Sequence, residues 1–337
     1  MIFGQWTDTV YDFNVSCPGQ SSADYLVPPD ASRDPIGALD EVRIAPGGLT
    51  ARGWALDPDT FEPIDVHVYA AGRAVPTRAD LSRPDVGAAF GKGSAHGYAT
   101  LVPAGGGTHN VCVYGINQGP GYANTNVGCR AVLVPSAPLG RLDGVERVPG
   151  GVQVRGWSID PKTAAPVTVH GYVGGTATPL TAGSSRPDVG RVFPEWGAGH
   201  GIDTVLPAPG SGSQRVCLYA IGGNNPNLGC RDVVVTHEPL GRFDGLARPD
   251  IGVVQVSGWA LDPDTTAPLV IDVLADGVQV GTVTASDPRP DVEAAFPRWG
   301  SARGFSARFD VPHNTVKVCL RAKDATTGPA TDLGCRS

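Results

Sequence analysis

Cysteines, aspartates and a few tryptophans are the residues here whose spacing could support chemistry. Six of the seven cysteines fall into pairs: Cys112 with Cys129, Cys217 with Cys230, and Cys319 with Cys335. The members of a pair lie 13 to 17 residues apart and no Cys-x-x-Cys occurs, so the spacing fits no zinc pattern. The chemistry it suits is oxidation, one disulfide per pair, in an oxidising compartment. Loops of this size each stabilise by roughly 3 kcal/mol in the chain-entropy picture. Cys17 is left over, either a free thiol or the partner of something upstream.

Asp57 with Asp59 and Asp262 with Asp264 stand in identical Asp-Pro-Asp-Thr turns. Paired carboxylates in a loop are weak calcium candidates, because calcium takes about six or more oxygens. The matching turn Asp160-Pro161-Lys162-Thr163 puts a positive charge where the other two carry aspartate. Turn capping by the first aspartate accounts for all three without a metal.

Trp196 and Trp299 lie in Pro-Glu-Trp-Gly and Pro-Arg-Trp-Gly, where a turn would hold the ring at a module edge. They are the ligand-binding candidates, and edge packing is the alternative. The corresponding stretch Gly91-Lys92-Gly93 has no tryptophan. Trp54, Trp157 and Trp259 each follow a glycine and read as core residues. His96 and His200 precede a glycine where Arg303 stands later, and His67, His109, His170, His237 and His313 are scattered. No set of nucleophile, base and orienting group recurs, so no enzyme, catalytic residue or cofactor is expected. Arg83 with Asp85, Arg186 with Asp188 and Arg289 with Asp291 read as structural pairs at helix starts. Asn14-Val15-Ser16 matches the glycosylation triplet, a pattern common by chance.

The elements that must position these residues are written three times. Gly-Trp-Ala-Leu-Asp-Pro-Asp-Thr at 53–60 returns at 258–265 and, varied, at 156–163. Arg-Pro-Asp-Val at 83–86 returns at 186–189 and 289–292. The period of about 102 residues is that of a small domain. Within a copy, short runs such as Ile64–Ala70 alternate apolar and polar residues between Gly, Pro and Asp turns, and one Pro-led helical turn ends near Phe90. This predicts an all-β chain of three tandem β-sandwich modules, each with one short helix and one disulfide. The boundaries expected are 1–34 for an N-terminal extension, then 35–135, 136–237 and 238–337. Short Pro-containing linkers favour semi-rigid beads.

Composition narrows function further. The net charge is −7 and no basic stripe occurs, which argues against nucleic acid. No apolar run approaches the ~18 residues of a membrane helix. The 46 glycines and 31 prolines fall between strands and read as turns. The opening MIFGQWTDTV has no basic, apolar or cleavage region of a leader, so an extracellular or cell-surface location is inferred from the cysteines.

The set GWALD, ADG, RPDV..AFP, VC and GCR, over about 36–337, resembles the bacterial extracellular immunoglobulin-like repeat. That resemblance implies fold and location and carries no catalytic residue. Residues 1–34 do not match the repeat. Gln5-Trp6-Thr7-Asp8 and Asp12-Phe13-Asn14 resemble the closing strand of lysozyme-type glycoside hydrolase barrels, whose acids would lie upstream. The expected role is a non-catalytic tandem that binds cell-wall polysaccharide or a surface protein, or spaces a partner domain. The alternatives are the C-terminal accessory region of a truncated secreted glycan hydrolase, and an adhesin stalk.

Overall fold

The computed structural model describes residues 33–121, 123–326 and 328–337. Asn14, Cys17 and the barrel-like stretch lie outside the described residues. The first module comprises β1 (Ile36–Ala45), β2 (Gly48–Leu56), β3 (Asp65–Ala70), β4 (Arg73–Arg78), β5 (Leu81–Ser82), α1 (Pro84–Phe90), β6 (Ala95–Pro103), β7 (Gly107–Gly115) and β8 (Thr125–Val134). The second comprises β9 (Leu139–Val148), β10 (Gly151–Ile159), β11 (Val167–Val173), β12 (Thr176–Ala182), α2 (Pro187–Val192), β13 (Gly201–Leu206), β14 (Gly212–Ala220) and β15 (Asn227–Val235). The third comprises β16 (Leu240–Asp250), β17 (Val253–Leu261), β18 (Val270–Ala275), β19 (Val278–Thr284), β20 (Asp287–Pro288), α3 (Pro290–Ala295), β21 (Ala302–Asp310), β22 (Val318–Ala322) and β23 (Thr331–Arg336).

Each module is a sandwich of two antiparallel sheets. In the first the orders are β1-β2-β6-β5 and β4-β3-β7-β8, and the third repeats them as β16-β17-β21-β20 and β19-β18-β22-β23. The second has β9-β10-β13 and β12-β11-β14-β15, with a single bridge between Ser184 and Gly201 where the others have a short edge strand. The all-β, three-sandwich expectation is met.

Alternation builds each core. On β3, Val66 and Val68 are fully buried, while His67 and Tyr69 face away from the sandwich. Leu49 and Ala51 from the opposite sheet meet them, with Val111 and Val113 alongside. Equivalent clusters form around Val154, Val169 and Leu218, and around Val256, Ile271 and Leu320. Among the described residues no helix is long and apolar enough to cross a membrane.

The tryptophan after glycine is not in these cores, contrary to the sequence reading. Gly53 takes the inward position, where a Cβ would fall onto the Ala38 carbonyl and the Tyr98 ring. Trp54 therefore points outward and packs on Phe90 at the end of α1, ring centroids 5.2 Å apart. Trp157 on Phe193 and Trp259 on Phe296 repeat the arrangement. In the second module this forms a satellite cluster of Ile159, Val189 and Trp196, with Trp157 and Phe193 packed against it.

Candidate functional site

The described residues contain no group of three or more His, Cys, Asp or Glu placed to hold a metal. The arginine–aspartate pairs at the helix starts are occupied within their own modules. Arg186 forks onto Asp188, Nε to Oδ1 at 2.8 Å and Nη2 to Oδ2 at 2.7 Å, and its Nη1 donates to Asp143 on β9 at 2.7 Å. Arg83 does the same with Asp85 and Asp40, and Arg289 with Asp291 and Asp244. The guanidinium beside it holds the Asp188 carboxyl at about 2, well below the ordinary range. These clamps tie the helix start to the first strand of the module.

The aspartates of the calcium candidates point at donors. Asp57 accepts the Asp59 and Gln118 N–H groups at 2.9 and 2.8 Å, and Asp262 accepts those of Asp264 and Ala325 at 2.8 and 2.9 Å. Asp59 meets Arg33, and Asp264 meets Arg147 and His237. Asp59 Oδ2 is buried without a hydrogen-bond partner, but one such oxygen is far short of the roughly six or more that calcium takes.

Trp196 and Trp299 serve the same turns. The Trp196 indole N–H donates to the Asp160 carbonyl at 2.9 Å and the Thr163 carbonyl at 3.2 Å, and Trp299 donates to the Asp262 carbonyl at 2.9 Å. Trp196 is 8% exposed, without the open ring face that stacking on a sugar requires. In the first module Lys92 Nζ donates to the Pro58 carbonyl at 2.7 Å, so lysine supplies the missing indole donor and lies over Phe61. His96 and His200 are buried with Nε2 at the Lys92 and Trp196 carbonyls, 3.0 and 3.1 Å away. Their successor Arg303 donates to the Ala267 carbonyl at 2.8 Å and to those of Thr266 and Trp299.

Several residues that differ between copies meet at the joints between modules. At the first joint the Gly47 N–H, in the β1–β2 turn, donates to the Pro161 carbonyl of the next module at 2.9 Å. Ile44 packs against the Trp196 cluster, and Arg52 Nη2 donates to Glu195 at 2.9 Å. A cleft of about 420 Å³ lies here, floored by Ile44, Leu139, Ile159 and Phe193. At the second joint Arg147 replaces Ile44. It donates to Asp264 at 2.6 Å and to the linker carbonyl of Thr236 at 3.1 Å, while His237 Nδ1 lies 3.0 Å from Asp264. Arg298 stands at the Glu195 position and forks onto Glu146 at 3.0 and 2.7 Å, holding that carboxyl below its ordinary range. Glu146 in turn stands at the position of Arg43. The Arg298–Glu146 pair thus reverses the sense of Arg52–Glu195, while Arg147–Asp264 keeps it.

The three cysteine pairs are disulfides joining β7 to β8, β14 to β15 and β22 to β23. The sequence reading singled out Lys162, the tryptophans and the cysteines, and missed Asp40, Asp143, Asp244, Arg52, Glu146 and Arg147. The clamp aspartates do recur in register as Leu-Asp or Phe-Asp. The joint residues pair with positions too distant in sequence to be matched by pattern.

No protein-family model matches this chain, and no curated protein matches it. Solved structures similar to it include the central fibronectin-III array of RIM-binding protein, at 14% identity and TM-score 0.24, covering 88% of this chain and 95% of that one. A tetra-tandem repeat from the extending region of a large adhesion protein aligns at 14% identity and TM-score 0.25, covering 89% and 72%. The FN1–FN3 domains of chicken CNTN1 align at 11% identity and TM-score 0.24, covering 89% and 97%. At such scores the likeness decides neither fold nor function, which rest on this chain's own strands and side chains.

Proposed function

We propose that the chain is a non-catalytic extracellular stalk, three sandwiches stacked end to end with stiffened joints. The observation that carries this reading is that both joints are built, each from a short Pro-containing linker and side chains reaching across it. Arg52 with Glu195 spans the first, and Arg147 with Asp264 and Arg298 with Glu146 span the second. Independent beads would need none of these contacts. Three disulfides support the extracellular location, since such bonds persist where thiols are oxidised.

Stiffness is measurable on the full chain by ¹⁵N relaxation and residual dipolar couplings. A stalk tumbles as one elongated body, so the three modules share a rotational diffusion tensor and an alignment tensor. Separate correlation times for the modules would overturn the reading. A fully polar surface on an independent, freely jointed array would give that second result.

A further inference from the structure

The first and second modules carry the same aromatic groove on the outer face of the disulfide-bearing sheet. On β3 and β7 the register sets His67 opposite Tyr114 and Tyr69 opposite Cys112. On β11 and β14 it sets His170 opposite Tyr219 and Tyr172 opposite Cys217. The neighbouring Val66, Val68, Val111 and Val113 are fully buried, so the His and Tyr side chains face out. Both tyrosine pairs have one geometry, ring centroids 5.5 Å apart at 85°. Asn124 and Asn225 line the corresponding ends of the grooves, whose volumes are about 490 and 630 Å³.

The third module shows that the fold does not require these rings. Asp272, Leu274 and Arg321 occupy the equivalent register positions. Lys323 pairs with Asp272 and Arg321 with Asp332, each at 3.1 Å, so salt bridges cover that sheet instead. A cross-strand aromatic pair is useful to a sheet, but here one copy dispenses with it while two keep the same trio.

We propose that the Tyr69–Tyr114 and Tyr172–Tyr219 grooves are two copies of a binding site for a neutral polysaccharide. Sugars present C–H faces beside hydroxyl edges. The groove matches them with phenol rings beside phenolic hydroxyls, an imidazole and a carboxamide. The first groove is lined by His67, Tyr69, Cys112, Tyr114, Ile116 and Asn124, with no carboxylate or ammonium group. In the second, the one guanidinium, Arg215, is paired with Asp232. Neutral linings on a chain of net charge −7 suit an uncharged polymer and disfavour a polyanion. Two sites in consecutive modules suit a repeating ligand, because the second contact is intramolecular. This binding role goes beyond the stalk reading and does not depend on the joints.

Native affinity electrophoresis of the full chain tests it, with galactomannan, xyloglucan, hydroxyethylcellulose or mannan in the gel and polygalacturonate as the anionic arm. Retardation by at least one neutral polymer is expected. Tyr69→Leu with Tyr172→Leu, which installs the residue the third module uses at this position, should weaken it at least tenfold, and either substitution alone should weaken it less. Leu274→Ala should change nothing. Wild-type mobility in every neutral gel, retardation by polygalacturonate alone, or a double variant retarded like wild type while melting normally would each overturn the proposal.

Discussion

At the scale of single residues, the most repeated construction is an arginine held between two aspartates. Arg186 forks onto Asp188 and reaches Asp143, and the planar guanidinium is what allows two parallel bonds to one carboxylate. The fold favours the ionised form of Asp188, lowering its pKa from the ordinary 3.8 to about 2. A depressed carboxylate contributes stability that is present above its unfolded pKa and lost as pH falls through its folded one. The clamp should therefore hold at pH 5 and fail only in the window from about 3.8 down to about 2. Carboxyl-carbon NMR should show Asp188 titrating at about 2, and Arg186→Gln should return it toward 3.8. An ordinary midpoint in the wild type would mean that the clamp does not form in solution. The RPDV signature was readable as a helix start. Its second aspartate was not, because a lone acidic residue on a strand looks like any solvated position.

At the scale of elements, alternation and turn residues were enough to place the strands, the short Pro-led helix and the C-terminal hairpin carrying each disulfide. The glycine–tryptophan pair was misread for a definable reason. Period 2 requires only that one of two neighbours face the core, and the large ring was assigned there. In fact the glycine faces inward because a side chain there would fall on the Ala38, Arg141 or Arg242 carbonyl of the neighbouring strand, with the Tyr98 or Phe305 ring also in the way in the first and third modules. The outward tryptophan then builds the satellite cluster that fixes the Asp-Pro turn through Trp196. Trp196→Phe keeps a ring but removes the donor to the Asp160 and Thr163 carbonyls, which should cost about 1–2 kcal/mol. Trp196→Ala also opens a cavity and should cost about 3–5 kcal/mol. For a module of this size, each 1 kcal/mol corresponds to a fall in Tm of about 4–8 °C. Calorimetry should rank wild type above the Phe variant and that above the Ala variant. A Phe variant melting like wild type would remove the indole donor from this account.

At the scale of the whole molecule, the joints explain one group of the repeat's irregularities. Residues shared by all copies fold a sandwich, while Lys162, Glu195, Arg298, Ile44 and Arg147 vary because each faces a different neighbour. Glu195 meets Arg52 from 143 residues away, and Arg298 meets Glu146 across 152 residues, so only the fold reveals these pairs. Arg298 faces Glu146 where Glu195 faces Arg52, yet Arg155 holds the Arg52 position in the second module and Glu41 neighbours Arg43 and Arg52 in the first, so both faces carry charges of both signs. An exposed ion pair contributes only about 0–1 kcal/mol, so reversing one should hardly move global stability. Like charges across a joint should instead loosen it. Glu195→Arg is expected to leave each module's melting unchanged while giving the first module its own, shorter rotational correlation time. Adding Arg52→Glu should restore common tumbling, and Arg52→Glu alone should loosen the joint as Glu195→Arg does. If both single variants tumble as one body with the rest of the chain, the joint is held by the Gly47–Pro161 bond and the Ile44 contact and charge plays no part, whereas a double variant as loose as either single one would mean that charge pairing does not set its stiffness.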